Sequence, residues 1–199
     1  FSFLGSKTIV LEDGSLIVAD IGNRALIQVS TPDKNGFCSF GVSSDYTKPA
    51  THSADIVIAE ANKQMPFIGG DNLIHVSELH HIVETDNALY ELPSAQISEI
   101  ELSIGEHCAS LIEDGSTLQL GIGSIPDAVL MSLGNKKRLG IHTEMFSDGV
   151  VDLVERGVIT GEDKTLHKNK LVATFLMGSK KLYDFVHKNP NVKMFPANY

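Results

Sequence analysis

The sequence predicts an α/β protein, and two observations carry that prediction. After Pro93, short apolar runs alternate with stretches of helical period, in the order strand, helix, strand, helix, strand, helix, strand. This alternation is typical of a parallel sheet with crossover helices. Before Pro93 the chain is rich in strands and less regular. We therefore predict a boundary at Pro93, between a strand-rich segment 1–93 and an α/β segment 94–199.

The first segment is predicted to consist mainly of strands. Apolar runs at 16–19 and 25–29 form the first two, and the second is followed by TPDKNG, a strong turn sequence. Residues 37–43 are expected to be extended and 45–54 to form a short helix. A continuous apolar run within 55–62 predicts a buried strand. Two further short β-type runs follow around a Gly-Gly break.

The second segment begins with a predicted amphipathic helix. Apolar residues recur there at steps of three and four, namely Ile97, Ile100, Ile104, Cys108, Leu111 and Ile112. Ser94 or Ser98 is expected to cap this helix, and Gly115 to end it. The strands that follow are predicted at 116–123, 139–146 and 170–178, the helices at 125–134, 148–157 and 179–189, and a fourth strand from 192. Ser147 is expected to cap the helix at 148–157.

Composition and charge exclude several classes of function. The 199 residues carry a formal net charge of −9, which argues against nucleic acid as a partner. No apolar run reaches the roughly 18 residues of a membrane-spanning helix, so we expect no membrane partner. Cys38 and Cys108 are far apart, a spacing typical of a reduced intracellular protein. With no signal peptide evident, the expected location is cytoplasmic.

Two features have the positions of a ligand site. Gly121 and Gly123 follow one predicted strand, and Glu144 follows the apolar start of the next. In open α/β sheets, ligands bind beyond the carboxyl ends of the strands. The helix after the glycines presents free N–H groups that suit a phosphate or an oxyanion. A tight turn and a solvated glutamate are the alternative interpretations. The eight histidines are scattered, so no metal site is predicted.

Three stretches resemble one known family. They are LIEDGSTLQLGIGSIPDAVLMSL, LGIHTEMFSDGVVDLVERGVITG and, upstream, ALIQVSTPDKNGFCSFGVSSDYTKPATHSADIVIAEAN. Together they resemble the acetyl-CoA hydrolase/transferase family, and in particular its acetate, butyrate and 4-hydroxybutyrate CoA-transferases. The resemblance covers approximately residues 25 to 199. Members often carry an Arg-Thr pair after the Met-Pro dipeptide, where this chain has Phe67 and Ile68.

The resemblance implies two open α/β domains with the active site between them. This chain would hold the C-terminal part of the first domain, residues 1–93, and the N-terminal part of the second, residues 94–199. The catalytic glutamate of the family falls on Glu144. The coenzyme A (CoA) loop falls on Gly121, Ile122, Gly123, Ser124 and Ile125. Acyl-CoA and a short-chain carboxylate would be the substrates, with no permanently bound cofactor or metal, and the full-length protein would be a homo-oligomer.

A lone glutamate suits this chemistry because carboxylates and thiolates attack already ionised, so no partner base is needed. Glu144 would form an acyl-glutamyl anhydride and then a glutamyl-CoA thioester. Two alternatives stay open at this point. An acetyl-CoA hydrolase on the same scaffold would let water reach the glutamyl thioester. The other alternative is non-enzymatic: a fragment or degenerate relative that binds a partner or nothing at all, so that the 199-residue piece is expected to be poorly soluble or inactive alone.

Overall fold

The structure is a computed structural model that describes residues 7–10, 16–20, 24–92 and 96–199, the first two ranges by backbone alone. The elements of the first segment are β1 (Lys7–Val10), β2 (Leu16–Asp20), β3 (Arg24–Ser30), β4 (Phe37–Ser39), α1 (Thr47–Ser53), β5 (Ile56–Asn62), β6 (Leu73–His75) and β7 (His81–Thr85). Those of the second are α2 (Glu99–Ser110), β8 (Thr117–Leu118), α3 (Ser124–Ser132), β9 (Gly140–Ile141), β10 (Met145–Phe146), α4 (Asp148–Glu155), β11 (Leu171–Ala173), β12 (Phe175–Leu176), α5 (Lys180–Val186) and β13 (Val192–Met194).

A five-stranded sheet in the order β1-β2-β3-β5-β7 organises the first segment. β1, β2 and β3 pair antiparallel, whereas β3, β5 and β7 pair parallel. The predicted strand at 55–62 is confirmed, but its burial is one-sided. Val57, Ala59 and Ala61 are buried, while Ile58 and Glu60 between them are only half-buried. The continuous apolar run predicted that both faces of this strand are buried, but the fold buries only one of them.

Parallel strands and crossover helices form the second segment, which confirms its α/β character. β8 pairs with β9 and β11 with β13, all parallel, and a bridge between His142 and Val172 joins the two pairs. Past that bridge, β10 pairs with β12. The strands predicted at 139–146 and 170–178 are each divided in two, because both segments bend at matched positions, Glu144 and Thr174.

Helix α2 exists but ends at Ser110, before the Gly115 that was expected to end it, and most of the predicted apolar stripe does not face the core. Ile100 is 74% exposed and Leu111 84% exposed. The buried residues are instead Gly105 and Ala109. A Cβ added at Gly105 would lie 2.6 Å from the backbone of Ala128 in α3. Small residues let the two helix backbones approach closely, and this contact, rather than the apolar stripe, sets the rotation of α2.

Of the predicted helix caps, Ser98 is confirmed and Ser147 is not. Ser98 caps α2, since its hydroxyl accepts the N–H of Glu101 at 3.3 Å; Ser94 lies outside the described residues. Ser147 occupies the N-cap position of α4, but the prediction that it caps the helix is wrong. Its hydroxyl donates to the Asp127 carboxylate at 3.1 Å, which ties the start of α4 to α3.

Residues from both sides of position 93 pack together. The N–H of Leu176 donates to the carbonyl of Val42 at 2.8 Å, and that of Ser44 to the carbonyl of Thr174 at 3.0 Å. Ile68 is fully buried in the same hydrophobic cluster as β10, β12 and α5. Ile68, at one of the two positions where family members often carry an Arg-Thr pair, is therefore a core residue. Residues 93–95 lie outside the described ranges, so the boundary at Pro93 stays a prediction. Within those ranges, no helix combines the length and apolar character needed to cross a membrane.

Candidate active site

A hydroxyl group joins the two segments that the sequence singled out. Thr143 Oγ1 accepts the N–H of Leu120 at 2.7 Å, and it lies 3.1 Å from the carbonyl oxygen of Leu120. Gly121 directly follows one of these residues, and Glu144 directly follows the other. The fold thus brings the start of the glycine turn and Glu144 to the same edge of the sheet, at the carboxyl ends of β8 and β9.

Glu144 has a restrained backbone and an available side chain. Its carbonyl oxygen accepts the N–H groups of Thr174 at 2.9 Å and Phe175 at 3.0 Å. The side chain is exposed, and no residue in the described ranges forms a hydrogen bond or an ion pair with its carboxylate. Between β11 and β12, the hydroxyl oxygen of Thr174 is buried and has no hydrogen-bond partner among the described residues. The carboxylate of Glu144 is therefore accessible to an electrophile.

The glycine turn presents a row of backbone N–H groups. Within the described part of the chain, no N–H from Gly121 to Ile125 donates to a protein acceptor. Gly123 has φ 111° and ψ −179°, a conformation that is essentially restricted to glycine. It immediately precedes α3, so these donors lie at the positive end of a helix. The turn can therefore hold a phosphate or stabilise an oxyanion.

Ser124 is already engaged by a residue that the sequence reasoning missed. Its hydroxyl donates to the Glu101 carboxylate, which also accepts the N–H of Ser98 at 2.7 Å. The hydrogen bond from Ser124 is the main reason that the pKa of Glu101 lies below its usual value. The spacing from Ser98 to Glu101 is that of a capping box, which predicts the cap but not the link to Ser124. Glu101 thus fastens α2 to the start of α3.

Two aromatic rings lie near His142, two residues before Glu144. The ring of His142 lies 6.2 Å from that of His167 and 6.4 Å from that of Tyr199, measured between centroids. Burial is the main cause that lowers the pKa of His142, with smaller contributions from Lys164 and His167. A neutral imidazole is therefore favoured at neutral pH. Among the described residues, no three His, Cys, Asp or Glu side chains form a metal-binding group.

Comparisons with known proteins agree on one family. The family model described as the acetyl-CoA hydrolase/transferase N-terminal domain matches residues 8–91. The 4-hydroxybutyrate coenzyme A transferase of Clostridium kluyveri is 63% identical over 175 residues, which are 88% of this chain and 41% of that protein. The succinyl-CoA:acetate/propanoyl-CoA:succinate CoA transferase of Fasciola hepatica is 48% identical, over 85% of this chain and 36% of that protein.

Solved structures show the same relationship. The 4-hydroxybutyrate CoA-transferase from Porphyromonas gingivalis superposes with a TM-score of 0.86 at 57% identity, over 89% of this chain and 45% of that chain. RipA from Yersinia pestis superposes with a TM-score of 0.85 at 37% identity, over 89% of this chain and 41% of that one. The chain therefore spans less than half the length of these relatives. It belongs to the acetyl-CoA hydrolase/transferase family.

Proposed function

We propose that the protein of which this chain is part is a CoA-transferase, which moves CoA between a short-chain acyl-CoA and a carboxylate such as acetate. The observation that carries the proposal is the position of Glu144, an exposed carboxylate without a partner among the described residues, beside a turn of unused N–H groups. Relatives named as CoA transferases, at up to 63% identity, support it.

In the proposed mechanism Glu144 is the nucleophile. One carboxylate oxygen attacks the thioester carbonyl and the C–S bond breaks. CoA departs as the thiolate, and an acyl-glutamyl anhydride is formed on Glu144. The thiolate then attacks the glutamyl carbonyl, which releases the first acid as its carboxylate and forms a glutamyl-CoA thioester. The acceptor carboxylate reverses the two steps. Every nucleophile and leaving group is an anion, so no proton has to be transferred.

The turn from Gly121 to Ile125 has two roles in this proposal. Each tetrahedral intermediate carries an oxyanion, which backbone N–H groups of the turn would stabilise. Loss of one such donor typically costs about 3 kcal/mol of transition-state stabilisation. The remaining N–H groups, together with the exposed side chains of Ile122 and Ile125, would contact CoA. Ser124 contributes through its backbone, since its hydroxyl is bonded to Glu101.

The experiment is to trap the covalent intermediate. The chain is incubated with butyryl-CoA, treated with hydroxylamine, and its peptides are analysed by mass spectrometry. We expect a hydroxamate at Glu144 only when the acyl-CoA is present. Glu144→Gln should give none, whereas Glu106→Gln, which alters another exposed glutamate, should react like the unchanged chain. The same test is made in a chimera in which this chain replaces the matched part of the Clostridium kluyveri relative. A chimera that turns over normally with Gln at 144 would refute the proposal.

A hydrolase on the same scaffold is the second candidate, because the family model that matches residues 8–91 is described by both activities. A hydrolase lets water attack the glutamyl thioester, whereas a transferase must exclude water from it. The two are separated by measuring CoA release in the chimera with and without acetate. A transferase releases CoA into a new thioester only when acetate is present. Release of free CoA at the same rate in both cases would indicate the hydrolase.

A further inference from the structure

The backbone ladder between β8 and β9 ends in an unusual way. Its last bonds run from the N–H of Gly140 to the carbonyl of Ser116 at 2.9 Å and from the N–H of His142 to the carbonyl of Leu118 at 3.0 Å. In a parallel ladder the next bond would join the N–H of Leu120 to the carbonyl of His142. The N–H of Leu120 instead donates to the side chain of Thr143 at 2.7 Å. A side chain thus replaces the backbone where the two strands end.

The same hydroxyl restrains both sides of the candidate site. Thr143 is only 6% exposed, and Oγ1 lies 3.1 Å from the carbonyl oxygen of Leu120 and 3.0 Å from that of Met145. A hydroxyl has one proton and two lone pairs, so Oγ1 accepts from Leu120 and donates to one of the two carbonyls. Leu120 precedes Gly121, and Met145 follows Glu144. One oxygen atom therefore contacts the backbone of both segments.

We propose that Thr143 is a positioning residue, whose hydroxyl holds the carboxylate of Glu144 at the distance from the Gly121–Ile125 turn that the reaction needs. The inference rests on the proposed function and adds a buried residue that would act on the site through its backbone contacts at Leu120 and Met145. It predicts a large effect from a small change, because a misplacement of about 1 Å in a reacting group costs roughly 100-fold in rate.

A buried threonine with no bearing on the site is the alternative, and the chain contains a matched control. Thr51 in α1 is 3% exposed, and its hydroxyl donates to the carbonyl of Thr47 at 2.8 Å. Thr51→Val therefore removes a buried hydroxyl that makes one hydrogen bond to backbone, whereas Thr143→Val removes a buried hydroxyl that makes two. Thr51 also lies far along the chain from Glu144. Thr143→Ser restores the oxygen and loses only a methyl group.

The first measurement needs no activity. Amide hydrogen exchange is followed by mass spectrometry in peptides that cover 118–125 and 142–146, for the unchanged chain and the three variants. We expect exchange to rise about tenfold or more in both peptides of Thr143→Val, since both lose the same restraint. Thr143→Ser and Thr51→Val should match the unchanged chain there. Unchanged exchange in Thr143→Val, or a rise in only one peptide, would overturn the inference.

The second measurement is the rate of hydroxamate formation at Glu144 with butyryl-CoA. It should fall about 10- to 100-fold in Thr143→Val and stay within about threefold in Thr143→Ser and Thr51→Val. Equal rates in Thr143→Val and the unchanged chain would overturn the inference. If the unchanged chain and chimera form no adduct, the proposed function fails, and hydrogen exchange alone decides the role of Thr143. Where Thr143→Val does not fold, Thr143→Cys, whose thiol bonds weakly, replaces it.

Discussion

The ammonium group of Lys164 donates to the carbonyl oxygen of Ile141 at 2.7 Å, three residues before Glu144. It also donates to the carbonyl of Lys170 at 2.6 Å, immediately before β11. Gly140 makes room for the side chain, since a Cβ there would lie 2.5 Å from Lys164 Cγ. A buried cation therefore joins the two central strands of the second segment, just below the edge that carries the candidate site.

This burial predicts how stability depends on pH. It lowers the pKa of Lys164 from 10.5 to about 8. Below pH 8 the folded and unfolded states both carry the charge. Between the two pKa values only the unfolded state binds the proton, so the free energy of unfolding rises with pH in that window. Between pH 7 and pH 9.5, we expect the free energy of unfolding of the unchanged chain to rise by about 2 kcal/mol more than that of Lys164→Met.

Urea denaturation at the two pH values measures this gain, and the exposed Lys168 provides the control. Lys168→Met should show the same rise with pH as the unchanged chain. If the free energies of unfolding of the unchanged chain and of Lys164→Met change equally with pH, burial does not lower the pKa of Lys164 and the prediction is wrong.

The two glycines of the turn are expected to respond differently to alanine. Gly123 has positive φ, so Gly123→Ala strains the backbone by about 1 to 3 kcal/mol even though nothing lies within 4 Å of the added Cβ. Gly121 has no such restriction, and its Cβ would lie 3.7 Å from Pro126 Cγ, an ordinary contact. Gly121→Ala should therefore keep its stability but bind CoA more weakly. Thermal denaturation measures the stability of the two variants, and isothermal titration measures their binding of CoA. Equal losses of stability in Gly121→Ala and Gly123→Ala would contradict the prediction.

Substitutions in α2 test which face of the helix packs. Gly105→Val places side-chain atoms against the backbone of Ala128 and should cost about 2 kcal/mol of stability. Ile100→Ser changes a side chain that is 74% exposed and should cost less than about 0.5 kcal/mol. Denaturation midpoints of the two variants decide the matter. A larger loss for Ile100→Ser would show that the apolar stripe packs after all.

Shortening the side chain of Glu144 tests the geometry of the proposed nucleophile. Glu144→Asp keeps the charge but withdraws the carboxylate by one methylene, so hydroxamate formation should fall about 100-fold. The exposed side chain has no partner in the described ranges, so the thermal midpoint should be unchanged. An aspartate that reacts at the original rate would show that the position of the carboxylate is not critical.

Much of the fold follows from local patterns. The helices after Pro93 and the strand at 55–62 were predicted because their periods and turn residues are properties of short stretches. Strand lengths were overestimated where Glu144 and Thr174 bend together, since a matched bend requires two distant segments. The outward-facing stripe of α2 was missed for a related reason. Period identifies an apolar face, but the close approach of Gly105 to Ala128 decides which face packs.

By itself the sequence determined the α/β alternation, the glycine turn and the lone glutamate, and through its motifs the family. These depend on residue type and spacing, which a linear chain displays directly. Only the tertiary structure decided that Thr143 replaces a backbone bond at Leu120 and that Lys164 lies buried against Ile141. Both contacts span 23 positions along the chain, and which polar groups meet across that separation depends on how the strands align in space.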